Sequence, residues 1–321
     1  TPLGSLRVLL SPGPEDDLAD LPPRIDRATL ANVTTDLIAF REDCQGPRAG
    51  RAIVYVAGHG VEVTKGDVIL LLEDFASRAH PGPLTAALDM DALNKAFSAE
   101  GFAPQQLWLT DACRVKAAAV DENAEVPRPV LGFVVPHGSV ASSPHIVASA
   151  PEQSAFGTTG ERTFFGDELL NALAGAGAVG PDDANDPGGL SDQWHVTTHS
   201  LSRYLETWVP LRATGVGEVQ RVDPIGTGGI GLVSVLRTPP EVPVTIDAIP
   251  VNAAKASTVA LLDDHLVATK TSPEIPVTWP DVPAGLYTIQ VASAAPYPAT
   301  TNQSVDVKPM SCERTLEIGT A

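Results

Sequence analysis

Two continuous apolar runs, each cut off by a short segment of chemically active residues, constrain this chain more than anything else in it. RAIVYVA, Arg51 to Ala57, stops at Gly58-His59-Gly60, and QLWLT, Gln106 to Thr110, stops at Asp111-Ala112-Cys113-Arg114. Short apolar runs without alternation read as strands buried on both faces, the condition of a parallel sheet covered by helices. Amphipathic segments lie between them. Leu30, Val33, Leu37 and Phe40 recur at three- and four-residue spacing within Ala28 to Arg41, and MDALNKAF, Met90 to Phe97, repeats the pattern. Ser5 to Leu10, Val68 to Leu72 and His145 to Ser149 are further strand candidates, and Ile230 to Leu236 is expected to close the sheet. Thr163 to Ala174 and Thr198 to Val209 read as helices. The alternation predicts an α/β fold, a mostly parallel sheet with helices on both faces.

At Thr238-Pro239-Pro240 the pattern changes. VTIDAI, STVALLD, IPVTW, LYTIQVA, SVDVK and TLEIG are short runs broken by proline and glycine. Spacings of about 8 to 12 residues between such breaks mark a small all-β sandwich. The expected division is therefore an α/β domain at 1–238 and a β-sandwich accessory domain at 239–321. Within the latter, Val282 to Tyr287 resembles the strand entry of carboxypeptidase-regulatory-like or PEGA-type modules.

Charge narrows the partners. Thirty-nine acids against 21 bases leave a net charge of -18, which repels phosphate backbones and attracts cationic peptides. Nucleic acid is therefore excluded as an expected partner. The sequence has no apolar run of about 18 residues, so no membrane span is expected. Cys44, Cys113 and Cys312 are too few and too scattered for a disulfide framework, which fits free thiols in a reducing, cytoplasmic setting. Abundant Ala, with Lys scarce beside Arg, fits a GC-rich bacterial source. Asp182, Asp183 and Asp186 lack the ligand spacing of a calcium loop and read as a solvated turn. His195 and His199 lie four apart without a third ligand nearby, so neither a metal nor a cofactor is expected. The long irregular stretch Val115 to Ser143 reads as a functional or cleavable loop.

His59 and Cys113 each follow a predicted strand, where parallel sheets deliver chemistry. An imidazole beside a thiol generates the thiolate that attacks a carbonyl, and the amides of Gly60 and Cys113 can hold an oxyanion. Taken alone, a cysteine after an apolar strand also fits a buried structural thiol, and a histidine between glycines also fits a turn.

VYVAGHG, Val54 to Gly60, with LWLTDACR, Leu107 to Arg114, resembles the caspase-like cysteine peptidases, whose strands end in a His-Gly and in an acid-or-Gln-x-Cys motif. The His to Cys spacing is also that of caspases. VILLLED (Val68 to Asp74), HIVASAPEQSAFG (His145 to Gly157) and TFFGDELLNAL (Thr163 to Leu173) are similar to further family segments in the family's order. The resemblance implies a caspase-like sheet, with His59 as general base and acid, Cys113 as nucleophile and Gly60 as oxyanion donor. Asp111, two before the cysteine, matches the metacaspase and paracaspase branch, where this acid lines the primary pocket and pairs with substrate Arg or Lys. A carboxylate facing a guanidinium forms a bidentate, charge-assisted pair; the competing reading of Asp111 is a strand-end cap. Glu152 is implied as a second pocket acid. Arg114-Val115 departs from the His-Ser-Gly that follows the cysteine in many metacaspases, and nothing upstream of Ser5 supplies the family's first strand-helix unit. Proteolytic processing is therefore expected, by an activating protease or with an N-terminal fragment of the protein as companion. Arg114, Lys116, Arg128 and Arg162 are candidate cleavage sites. The expected function is an endopeptidase cutting after Arg or Lys, in a stress or phage-defence setting. The alternative is an inactive caspase-like scaffold that binds partners through the sandwich.

Overall fold

A computed structural model describes residues 3–12, 25–46, 50–97 except 65 and 83, 102–116, 127, 130–131, 143–180, 193–226, 231–309 except 264, 266, 295 and 297–299, and 312–317. The mixed α/β chain forms two compact units, Thr1–Glu168 with Leu205–Gly231, and Leu169–Tyr204 with Leu232–Ala321. The expected boundary at 238 and 239 lies inside the second unit. The loop acids Asp182, Asp183 and Asp186, Arg128 and most of Val115 to Ser143 fall outside the described residues.

In the first unit β1 (Leu9–Leu10) and β2 (Asp26–Arg27) pair in parallel ahead of α1 (Leu30–Asp43). Next come β3 (Arg51–Gly58), β4 (Gly60–Glu62), β5 (Ile69–Leu71), β6 (Ala87–Asp89), α2 (Met90–Ala96), β7 (Gln105–Ala112), β8 (Val115–Lys116) and β9 (His145–Val147). Helix α3 (Phe164–Asn171) runs on into a π-helical turn, and β10 (His195–Thr197), α4 (Thr198–Gly215), β11 (Asp223–Ile225) and β12 (Leu232–Val235) follow, of which the π-helical turn, β10, the start of α4 and β12 belong to the second unit. One sheet has the order β11-β9-β7-β3, in which β3, β7 and β9 are parallel and β11 is antiparallel. A smaller sheet, β6-β5-β4-β8, is built from the continuations of β3 and β7.

Alternation along the strands assigns the faces. Ala52, Val54 and Val56 of β3, Trp108 and Ala112 of β7, and Val147 of β9 share a core with Val33, Leu37 and Phe40 of α1 and with Met90, Leu93 and Phe97 at α2. The ring of Trp108 meets Phe97 edge-on at 5.4 Å. Its indole N–H donates to Gln106 Oε1 at 3.2 Å, and the Gln106 amide donates to the Phe97 carbonyl at 2.8 Å. The indole N–H of Trp108 and the amide of Gln106 are thus satisfied. Asp89 caps α2 by accepting from the Ala92 N–H at 2.9 Å. Tyr55 and Asp111 point to the opposite face, where they meet the first turn of α3.

Two expectations about strands change. The apolar run at Ile230 to Leu236 does not close the four-stranded sheet, because β12 pairs with β10 in a separate sheet. The edge position belongs to β11, an Asp-Pro-Ile strand with no propensity to announce it. Pro224 is tolerated there because an edge strand leaves one row of N–H groups unpaired. Of the strand expected at Ser5 to Leu10, Leu9 and Leu10 are paired among the described residues.

The second unit contains β13 (Glu241–Ile249), α5 (Val251–Ala254), β14 (Ser257–Leu262), β15 (Ala268–Ser272), β16 (Val277–Pro283), β17 (Gly285–Ser293), β18 (Thr300–Val307) and β19 (Cys312–Glu317). They form sheets β16-β13-β19 and β15-β14-β17-β18. Val242, Val244, Ile246 and Ala248 alternate along β13 and share one core with Val259, Leu261, Ile289, Val291, Val305 and Val307 of the other sheet. Among the described residues no helix is long and apolar enough to cross a membrane.

His145 of β9 is buried against α2, its Nε2 2.8 Å from Thr110 Oγ1. Asp91 Oδ1 is 3.9 Å from Nδ1, too far for a hydrogen bond, and Nδ1 has no partner among the described residues. Burial, helped by the charge of Arg114 and opposed by Asp223, pushes its pKa down to about 4. The folded state then resists a proton that the unfolded chain accepts near pH 6.5. Stability is therefore expected to fall as pH drops from about 6.5 towards 4. Urea midpoints measured across this range are expected to decline less in His145→Gln, and an identical decline would refute the assignment.

Candidate active site

The site follows from strand register. β3 and β7 pair in parallel from Arg51 with Gln105 to Gly58 with Ala112, and β4 and β8 resume the same register at Val61 with Val115. His59 therefore falls opposite Cys113, between two pairings that fix both chains. Neighbouring strands lie about 4.8 Å apart, which brings the two residues together at the carboxyl edge of the sheet. His59 is exposed and Cys113 half-buried. Their side chains are not hydrogen-bonded to each other; the contacts of Sγ run to Ala155. Gly60 sits so close that a Cβ there would lie 2.5 Å from the Cys113 carbonyl and 2.9 Å from Ala112 Cβ.

The thiol faces a loop running on from β9. The Ala155 N–H donates to Cys113 Sγ at 3.3 Å, and Sγ lies 3.7 Å from the Ala155 carbonyl. Polar contacts from several elements hold this loop. The Arg114 N–H donates to the Gln153 carbonyl at 2.9 Å, and Glu62 Oε2 accepts from the Glu152 N–H at 2.9 Å. Gln220 accepts from the Phe156 N–H at 3.0 Å and donates to the Ala148 carbonyl at 2.9 Å. The loop closes on itself at Gly157, which bridges to Thr163, while the Phe164 N–H donates to the Phe156 carbonyl at 2.9 Å.

Arg114 anchors the whole arrangement. Only 1% exposed, its guanidinium donates to the carbonyls of Gly66 at 2.7 Å and Ser149 at 3.3 Å, and to Asp223 at 2.5 Å. Arg114 was expected as a cleavage site, but a side chain so enclosed offers a protease nothing to grip. Lys116 is exposed, and Arg162 is 70% exposed beside Asp167.

Asp111 is 2% exposed. Its Oδ2 accepts from the Tyr55 hydroxyl at 3.2 Å and from the Thr163 hydroxyl, while Oδ1 is buried with no partner among the described residues. Burial raises its pKa above the ordinary carboxylate value, and the bonds from Thr163 and Tyr55 pull against that rise. Glu152 holds a left-handed backbone, φ 65°, on the thiol-facing loop, with its side chain exposed. His195 lies in β10 and His199 in α4, so the two do not share a helix face. Among the described residues no group of three His, Cys, Asp or Glu is set to hold a metal.

Sequence reasoning brought out His59, Gly60, Asp111 and Cys113, which the fold gathers, and missed Tyr55, Thr163, Ala155 and Gln220. Ala155 acts through its main chain, which no residue type announces. Tyr55 had a visible signal, a phenol in an otherwise aliphatic strand.

Arg114→Ala is expected to cost about 3–5 kcal/mol in urea denaturation, because it leaves Asp223 and two carbonyls without their partner. Asp111→Asn is expected to move the other way. Ionising a carboxyl of raised pKa costs stability as pH climbs past that pKa, so removing it should raise the melting temperature at pH 7. A lowered melting temperature would refute this account of Asp111. The chain matches no protein-family model and no curated protein.

Proposed function

We propose that the first unit is a caspase-like cysteine endopeptidase that cuts after Arg or Lys. The observation that carries the reading is the shared register of β3 and β7, which puts His59 opposite Cys113 beyond the carboxyl ends of two parallel strands. In this reaction the Cys113 thiolate attacks the scissile carbonyl carbon, forming a carbon–sulfur bond and a tetrahedral oxyanion. The amides of Gly60 and Cys113 hold the oxyanion. Collapse breaks the carbon–nitrogen bond, and His59 gives its proton to the leaving amine. Water, deprotonated by His59, then attacks the thioester, releasing the carboxylate product and the thiol.

Asp111 supports basic specificity. It is a buried carboxyl whose Oδ1 has no partner among the described residues, a group that a cationic side chain would complete. Glu152, exposed on the loop that faces the thiol, adds a second carboxylate for a basic substrate. The acidic chain as a whole favours the approach of cationic peptides.

Fluorogenic peptides with Arg, Lys or Asp before the leaving group test the reading. Wild type is expected to turn over the Arg and Lys members, and Cys113→Ala and His59→Ala to lose about 10³-fold or more in kcat. Gly60→Ala, whose added methyl meets the Cys113 carbonyl, is expected to be nearly inactive while remaining folded by circular dichroism. A wild-type chain inert to every member would favour the scaffold reading, and turnover only after Asp would remove the role given to Asp111.

A further inference from the structure

Asp111 is gripped at one oxygen only. Tyr55 and Thr163 both donate to Oδ2, which fills the two acceptor positions of that atom, and Oδ1 is left buried and unbonded among the described residues. The direction of the Thr163 bond is fixed by its other contact. Its Oγ1 accepts from the Gly166 N–H at 2.9 Å, so its proton is turned towards the carboxylate. Tyr55 is equally committed as a donor, since burial and the neighbouring carboxylate push its phenol pKa up. Space around the cluster is tight. A Cβ on Gly166 would stand 3.0 Å from Thr163 Oγ1, 3.5 Å from Asp111 Oδ2 and 3.7 Å from the Tyr55 hydroxyl.

We propose that Tyr55 and Thr163 are positioning residues that restrict Asp111 to a single-oxygen contact, so that the site accepts Lys and Arg side chains alike. A guanidinium prefers a carboxylate when its two parallel N–H groups meet two oxygens. With Oδ2 occupied, that fork has only Oδ1 to bind, and Arg loses its geometric advantage over the point charge of Lys. This replaces the bidentate pair expected from the sequence, and it rests on Asp111 as the acid of the primary pocket.

Calorimetric titration of the intact chain with the acetylated amides of arginine, lysine and citrulline tests the proposal without requiring turnover. Wild type is expected to bind the arginine and lysine amides within about threefold of each other, and both at least about tenfold more tightly than the uncharged citrulline amide. Tyr55→Phe frees one acceptor position on Oδ2 and is expected to raise the arginine-to-lysine ratio to about tenfold. Tyr55 is half-exposed, so this change threatens the fold little. Thr163→Val should act in the same direction, while Thr163→Ser should restore the wild-type ratio, which a purely structural role for the hydroxyl would not reproduce through selectivity. A wild-type preference for arginine of tenfold or more, or an unchanged ratio in Tyr55→Phe, overturns the proposal. Equal binding of all three amides overturns it together with the cation-binding role of Asp111. Normal amide binding with no peptide turnover would instead remove the peptidase reading and leave this one standing.

Discussion

The parallel pairing of β3 with β7 is the constraint on which the site depends. Eight residues of unbroken register fix which residue of one strand stands beside which of the other, and a slip of one position would turn every side chain to the wrong face. Val54, Trp108 and their neighbours are buried against α1 and α2, so a slip would expose that core. The hydrophobic face therefore sets the alignment of His59 with Cys113, although neither residue contributes much burial itself. Gly60 completes the arrangement because only a residue without Cβ lets the two backbones run so close.

A second constraint is the buried polar framework around the loop facing the thiol. Arg114, Glu62 and Gln220 are each almost fully enclosed, and each makes at least one hydrogen bond to a main-chain group distant in sequence. Buried groups of this kind are costly unless satisfied, so they specify the loop conformation more strictly than apolar packing would. The Ala155 amide reaches the sulfur as a result. Closure at Gly157 and Thr163 lets the same loop reach both the Cys113 thiol and Asp111.

Asp111 carries the least satisfied carboxyl of the polar framework. A buried carboxyl with one oxygen unbonded among the described residues is unfavourable on its own, and two hydroxyl donors relieve only part of that cost. In the proposed function a cationic side chain would offset that imbalance. The sandwich shows no comparable tension among its described residues, since its core is apolar and its buried Ser257 hydroxyl is bonded to the Ala253 carbonyl and to Ser293.

The sequence by itself determined the α/β pattern, the strands carrying His59 and Cys113, helices α1 and α2, and the alternating β run after residue 240, because apolar periodicity is a local property of the chain. It determined little about β11, whose Asp-Pro-Ile is held by the enclosed Arg114 and by pairing with β9, or about the partnership of β12 with β10. Tertiary structure alone decided that Arg114 is an anchor rather than an exposed basic residue, that Ala155 meets the sulfur, and that Tyr55 and Thr163 share one oxygen of Asp111. Those contacts join residues far apart in sequence through main-chain atoms and single hydroxyls. Their geometry is fixed only when the strands are in register and the polar framework has closed.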